Sequence, residues 1–186
     1  MLFRSAQRSF YRDCIVSGTV DFIFGRGSAL IQNSELILRM PEMNQFNALT
    51  ADGRENPREN AGVVIQNCKI VADPKLVPNQ VKIKSYLGRP WSPYSRAVIM
   101  QSEIADAIVP EGWYKWNDQV KHEETCEFRE FNNRGPGANT AGRAKYGGVQ
   151  VITDKKLAEQ YTAGPFLFGD KWLAATGVPH DIGLTP

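Results

Sequence analysis

The sequence predicts an all-β protein whose strands stack as the rungs of a solenoid, and three observations carry that reading. A short motif occurs in four copies, polar stretches separate the copies, and helix signal is scarce. The motif is an apolar pair, one or two polar residues, a small Cys or Ser, a variable residue, then an aliphatic one. Its copies are Phe10-Tyr11-Arg12-Asp13-Cys14-Ile15-Val16, Leu30-Ile31-Gln32-Asn33-Ser34-Glu35-Leu36, Val64-Ile65-Gln66-Asn67-Cys68-Lys69-Ile70 and Val98-Ile99-Met100-Gln101-Ser102-Glu103-Ile104.

Each copy reads as two short strands meeting at a polar bend. After the bend the small residue and the aliphatic one face inward, while Glu35, Lys69 or Glu103 between them faces water, because side chains alternate along a strand. Cys14, Ser34, Cys68 and Ser102 are therefore expected on successive rungs, about 4.8 Å apart. The copies are unevenly spaced, and the stretches 41–60 and 73–94, rich in Pro, Asn and Gly, read as loops leaving the solenoid. An antiparallel sandwich with coincidental likeness between strands fits the same short apolar runs. One helix is expected near the C-terminus, with Thr153 as N-cap, running through Asp154-Lys155-Lys156-Leu157-Ala158-Glu159-Gln160-Tyr161 and stopped by Gly164-Pro165.

Composition narrows the function classes. The 186 residues suffice for a sizeable core, and a 42% content of aliphatic, aromatic and Cys residues is that of a globular chain. No run approaches the roughly 18 apolar residues of a membrane span. Lys and Arg number 22 against 20 Asp and Glu, and these positives are scattered, which argues against a nucleic-acid surface. Cys14, Cys68 and Cys126 form no CxxC pair, and His122 and His180 lie far from them, so no zinc site is expected. Met1 is not followed by the pattern of a secretion signal; Leu2-Phe3-Arg4 runs almost at once into strand-like sequence, as a fragment would.

Two strings carry candidate chemistry. Gly18-Thr19-Val20-Asp21-Phe22-Ile23-Phe24-Gly25 sets one carboxylate among apolar neighbours, where it is costly unless paired, hydrogen-bonded or protonated. Leu87-Gly88-Arg89-Pro90-Trp91 puts a guanidinium and an indole two residues apart. Arg can grip a carboxylate with two donors, and Trp offers a flat face to a sugar ring. A turn-capping Asp and a surface Arg beside a core Trp remain open alternatives.

Taken in order, these strings resemble one family. Ser9-Phe10-Tyr11-Arg12-Asp13-Cys14, the Gly18 to Gly25 string, Leu49-Thr50-Ala51-Asp52-Gly53-Arg54, Tyr86 to Trp91, Gly112-Trp113 and Asn133-Arg134-Gly135-Pro136-Gly137-Ala138 are similar to the plant-type pectin methylesterases, as is the tail from Trp172-Leu173 through Thr176-Gly177-Val178-Pro179 to Gly183-Leu184. The resemblance implies a right-handed parallel β-helix with its first rungs missing and a short helical or irregular C-terminal tail, residues 1–186 forming the C-terminal portion of a single catalytic domain. It implies hydrolysis of galacturonate methyl esters in pectin to carboxylate and methanol, with no metal or organic cofactor. Asp21 matches the nucleophile, Arg89 the residue holding that carboxylate, and Trp91 a substrate-contacting aromatic. The expected partners are methyl-esterified homogalacturonan and a proteinaceous inhibitor, with neither nucleic acid nor membrane, and the expected location is the plant cell wall after secretion.

The match also breaks in places. The family's general acid, an Asp preceded by Gln, aligns immediately upstream of Met1, and a second Gln that donates to the oxyanion lies further upstream. Asp13 belongs to a bend and is no replacement. The chain is thus expected to have little activity of its own, and a non-catalytic remnant binding pectin or an inhibitor is the alternative. Cys14 resembles half of a disulfide whose partner position holds Ser34, and Arg26-Gly27 stands where a small polar residue and Ala are usual. Arg143-Ala144-Lys145-Tyr146 replaces an Arg-Val-x-Trp string.

Overall fold

The computed structural model describes residues 2–3 and 7–185. Among the described residues the strands form three sheets in which every pairing is parallel. The first sheet holds β1 (Leu2–Phe3), β4 (Val20–Gly25), β7 (Asn47–Asp52) and β10 (Ser85–Gly88). The second holds β2 (Arg8–Arg12), β5 (Ser28–Gln32), β8 (Gly62–Gln66), β11 (Arg96–Met100), β13 (Glu127–Phe131) and β14 (Val149–Val151). The third holds β3 (Ile15–Gly18), β6 (Glu35–Leu38), β9 (Lys69–Ala72) and β12 (Glu103–Ile104). The chain visits the second, third and first sheets in turn, winding a right-handed parallel β-helix.

The repeated motif is the corner between the second and third sheets. Asp13, Asn33, Asn67 and Gln101 turn that corner with φ of 52–54°, a left-handed conformation that Asn and Asp tolerate better than most side chains. At Ser34, Cys68 and Ser102 the next residue is buried, so it must be small, and it bonds across the rungs, so it must be polar. Ser34 Oγ accepts the Cys14 amide at 3.1 Å, and Ser102 Oγ accepts the Cys68 amide at 3.0 Å. Cys14, Ser34, Cys68 and Ser102 thus occupy one column, since Ile15 pairs with Glu35, Glu35 with Lys69 and Lys69 with Glu103. Cys14 is a free thiol. A fifth corner, hidden in the sequence by charged neighbours, uses Asn132 at φ 49° and Asn133, whose Oδ1 accepts the Ser102 amide at 3.0 Å.

The apolar pair of each motif serves two cores. Ile31, Ile65 and Ile99 point into the helix with Leu36, Ile70 and Leu87, whereas Leu30, Val64 and Val98 stack on the outer face of the second sheet. That outer face is covered by Tyr161, Phe166, Leu167 and Leu173 of the C-terminal segment. Each such aliphatic side chain, fully buried, contributes about 1.5–3 kcal/mol. Beyond the covering segment, the tail runs along a ladder of glutamines. Gln32 donates to the Asp181 carbonyl at 3.0 Å, Gln66 to Gly183 at 2.9 Å and Gln101 to Thr185 at 2.7 Å. Every second tail residue meets one rung, so side-chain amides do there what a neighbouring strand does elsewhere.

Two expectations need correction. The stretches 41–60 and 73–94 are not only loops: each contains a parallel strand, β7 and β10, of the first sheet. Their Asn, Thr and Ser residues are buried by hydrogen bonding, as when Asn47 Nδ2 donates to the Arg39 carbonyl at 3.1 Å and to Ser85 Oγ at 3.2 Å. At the C-terminus there are two short helices, α1 (Lys155–Glu159) and α2 (Ala163–Leu167). The N-cap of α1 is Asp154, not Thr153; its side chain accepts the Lys156 amide at 2.8 Å. Gly164-Pro165 stops nothing, because it lies in the first turn of α2, where a missing N–H costs no hydrogen bond.

Candidate active site

The first sheet carries the cleft. Asp21 lies inside β4 at a register shift against β7, between the pairings Val20–Ala48 and Ile23–Thr50. Its φ is 53°, so the bulge re-aims a side chain that would otherwise follow the alternation of the strand. Arg89 leaves the end of β10, which reaches β4 only across β7. The Arg89 amide bonds the Thr50 carbonyl at 3.0 Å, fixing where its side chain departs. Gly88 must be glycine, because a Cβ there would overlap the Thr50 hydroxyl that bonds the Leu87 carbonyl.

Across 68 residues of sequence the two side chains meet. Arg89 Nε lies 2.9 and 3.1 Å from the Asp21 oxygens, and Nη2 lies 2.6 Å from Oδ2. The pair is partly open, with side chains 18% and 20% exposed. Aromatic rings hold the guanidinium in plane: its central carbon lies 4.4 Å from the Trp116 centroid and 5.2 Å from that of Phe46. Tyr114 and Tyr86 extend this aromatic wall from Phe46.

A cavity of about 350 Å³ opens above Asp21, lined by Val20, Asp21, Phe24, Ala51, Trp91 and Trp116. Among these lining residues Asp21 is the one carboxylate, set at the base of apolar walls. Trp91 meets Phe24 edge-on at 6.5 Å and lies over Gly53, where a Cβ would come within 2.8 Å of the indole. The site is a negative oxygen pair aimed by a cation into a slot shaped for a flat, partly apolar ring.

The structure therefore brings Asp21, Arg89 and Trp91 to one place, while other motif residues go elsewhere. Trp113 is core: it is 1% exposed, stacks on Phe128 at 4.3 Å and donates to Glu130 Oε1 at 3.1 Å. Asp13 turns a corner between the other two sheets and pairs with Arg12 at 3.6 Å. Sequence reasoning missed Trp116, Phe46 and Phe24. The run Gly112-Trp113-Tyr114-Lys115-Trp116 held a usable signal, since its aromatics divide between core and cleft; Phe46, in a polar loop, offered none.

A charged cluster stands behind the cleft wall. Asp52, at the end of β7, accepts the amides of Arg96 at 2.7 Å and Arg54 at 3.1 Å. Burial pushes its carboxyl up to about 7, against the pull of those two amides and the neighbouring guanidinium charges. Glu127 joins Arg96 at 2.8 Å, Arg54 at 3.1 Å and the Tyr161 hydroxyl at 2.6 Å. Burial raises the Glu127 carboxyl, but Arg96, Tyr161 and Arg54 outweigh it and hold it below its usual range. This cluster ties the cleft-side turns to the C-terminal segment.

Known proteins share this architecture and sequence. A family model described as Pectinesterase matches residues 1–170. "Pectinesterase/pectinesterase inhibitor U1" of Solanum lycopersicum is 46% identical over 183 residues, 98% of this chain and 31% of that protein. "Pectinesterase 2" of Arabidopsis thaliana is 45% identical with the same coverage of each chain. The structure "Pectin methylesterase from Carrot" superimposes with a TM-score of 0.94 at 42% identity, over 97% of this chain and 56% of that one. The chain spans about a third of the length of the curated relatives it matches. With the corner columns, the Asp21–Arg89 pair and these likenesses together, the chain belongs to the pectinesterase family.

Proposed function

We propose that residues 1–186 are the C-terminal portion of a pectin methylesterase catalytic domain, carrying its nucleophile. The single observation behind this reading is the two-donor grip of Arg89 on a carboxylate that a strand bulge turns into an aromatic-walled cleft. In the reaction, an Asp21 oxygen attacks the ester carbonyl of a methylated galacturonate. The tetrahedral centre collapses to an acyl intermediate, and methoxide leaves with a proton taken from an acid. Water then cleaves the acyl bond, returning the Asp21 carboxylate and releasing the sugar acid. Arg89 aims the nucleophile throughout, and Trp91 with Trp116 stacks against the sugar.

Among the described residues, the lining of the cavity provides no second carboxylate to serve as that acid. The 186-residue chain by itself is therefore expected to turn over slowly, since a positioned acid typically contributes about 10²–10⁴-fold. The same observation favours a second reading, in which the chain binds pectin, or a proteinaceous inhibitor of the enzyme, without catalysis. The plant relatives support methyl-esterified homogalacturonan as ligand and the cell wall, reached by secretion, as the place of action. Among the described residues no helix is long and apolar enough to cross a membrane.

The test is methanol release from methylated pectin by three proteins: the 186-residue chain, a version extended with upstream family sequence that includes Gln-Asp, and the extended version carrying Asp21→Asn. Release by the extended protein alone is the expected result. Brisk release by the short chain, unchanged by Asp21→Asn, would refute the roles given to both the acid and Asp21.

A further inference from the structure

Arg26, one residue past β4, stands beside the cleft. Its guanidinium lies 5.5 Å from the Trp91 ring centroid, and its stem packs with that indole over Gly53. Trp91 is thus shared: it lines the cavity above Asp21 and also supports Arg26. Next to it a second cavity of about 310 Å³ opens, lined by Arg26, Ser28, Gly53, Glu55, Glu59 and Asn60 among others.

The charge of Arg26 is only loosely committed. Its partner is Glu55, with Nη2 2.7 Å from Oε1, and the two side chains are 45% and 57% exposed. An exposed pair of this kind is weak and exchanges readily. A guanidinium carries five N–H donors in a fork that fits a carboxylate, and more than half of the Glu55 side chain that meets it is open to exchange. The polymer proposed as substrate carries a methyl ester or a free carboxylate on each sugar, so a sugar extending past Trp91 presents one or the other to Arg26.

We propose that Arg26 is a specificity-determining residue that binds the free carboxylate of an unesterified galacturonate next to the sugar whose ester reacts. Glu55 occupies the fork when no such carboxylate is present and is displaced when one arrives. Glu59 lines the same cavity and opposes a second anion, so binding depends on capturing the Arg26 fork. A methyl ester lacks the charge and gains nothing from the exchange. This inference rests on the pectin-binding reading of the cleft.

The experiment is calorimetric titration of the 186-residue chain with a fully methyl-esterified oligogalacturonide and with its unesterified counterpart. Arg26→Gln should weaken the unesterified ligand about three- to fivefold and shift the esterified one less than about twofold. Glu55→Gln should tighten the unesterified ligand about two- to fivefold, because the competitor is gone. Arg134→Gln, an equal loss of charge at an exposed Arg elsewhere on the solenoid, should change neither. Trp91→Ala should weaken both and reports on the cleft itself. If Trp91→Ala weakens both ligands but Arg26→Gln affects them equally, not at all, or no more than Arg134→Gln does, the role of Arg26 is overturned and the cleft reading stands. If Trp91→Ala changes neither, or the parent chain binds neither ligand, the cleft reading fails and the Arg26 inference with it.

Discussion

Two pairs in this molecule use the same chemistry, an arginine gripping a carboxylate with two nitrogens, for opposite ends. Glu130 and Arg143 are 3% and 5% exposed, joined at 2.7 and 3.0 Å, and every remaining interest of the pair is met: Arg143 also bonds the Pro110 and Gly137 carbonyls, and Trp113 donates to Glu130. Asp21 and Arg89 are joined as closely but are left partly open, and Asp21 sits at a positive φ within a strand. The first pair is saturated, and its carboxylate has nowhere to go. The second is held in place by aromatic faces and neighbouring strands, so its carboxylate keeps a side free toward the cavity. The comparison teaches that the number of bonds in an ion pair says less about its role than what surrounds them.

The largest effect expected from breaking the comparison is on the core pair. Glu130→Ala leaves the Arg143 charge buried without its carboxylate and should cost about 3–5 kcal/mol in urea unfolding. In protein with measurable turnover, Arg89→Met should lower kcat about 10²-fold or more by releasing Asp21, the proposed nucleophile, from its aim, with KM little changed. A cost to folding but none to kcat would place Arg89 with Arg143 instead.

Asp52 sharpens the line between cleft and scaffold, since it abuts the cleft wall yet belongs to the buried side. Its folded value, about 7, lies above the ordinary 3.8, so between those values the folded state holds a proton that the unfolded state has released. Stability from this group is therefore complete below about pH 4, falls by about 1.4 kcal/mol per pH unit as pH rises towards 7, and is gone above that. Asp52→Asn keeps an acceptor for both amides and should flatten that part of the stability profile. An unchanged slope would show that Asp52 is ionised in the folded protein. The smallest effect concerns the thiols. Burial pushes Cys68 and Cys126 up to about 12, so a thiol reagent should label half-buried Cys14 first and the other two only on unfolding. Simultaneous labelling of all three would mean that the interior opens as easily as the half-buried edge.

Much of the fold was legible in the sequence because a solenoid repeats its demands. Each corner needs a residue tolerant of positive φ followed by a small polar one, and that requirement printed Asp13-Cys14, Asn33-Ser34 and Asn67-Cys68 in line. Strands β7 and β10 of the first sheet escaped notice because polar contacts satisfy them, as in Asn47 and Ser85, so their sequence looks like loop. The meeting of Asp21 and Arg89 was expected from resemblance, and the structure supplies its physical basis in β7 lying between them. Phe46 was not foreseen, because it stands in a polar loop with no pattern around it, and Trp116 was not separated from its core neighbour Trp113 in the aromatic run that holds both. Arg26 stood out as a departure, but only its place beside Trp91 and Glu55 gives it a role to test.

The central claim is that the fold holds the Asp21–Arg89 pair for chemistry, and is not held together by it. Urea denaturation of the 186-residue chain carrying Asp21→Asn, beside the parent, tests this most directly. Asn tolerates the positive φ and keeps an oxygen for Arg89, and the pair is partly exposed, so the unfolding free energy should change by less than about 1 kcal/mol. A loss of about 3–5 kcal/mol, the size expected for a buried pair such as Glu130–Arg143, would make Asp21 a structural residue and contradict the account.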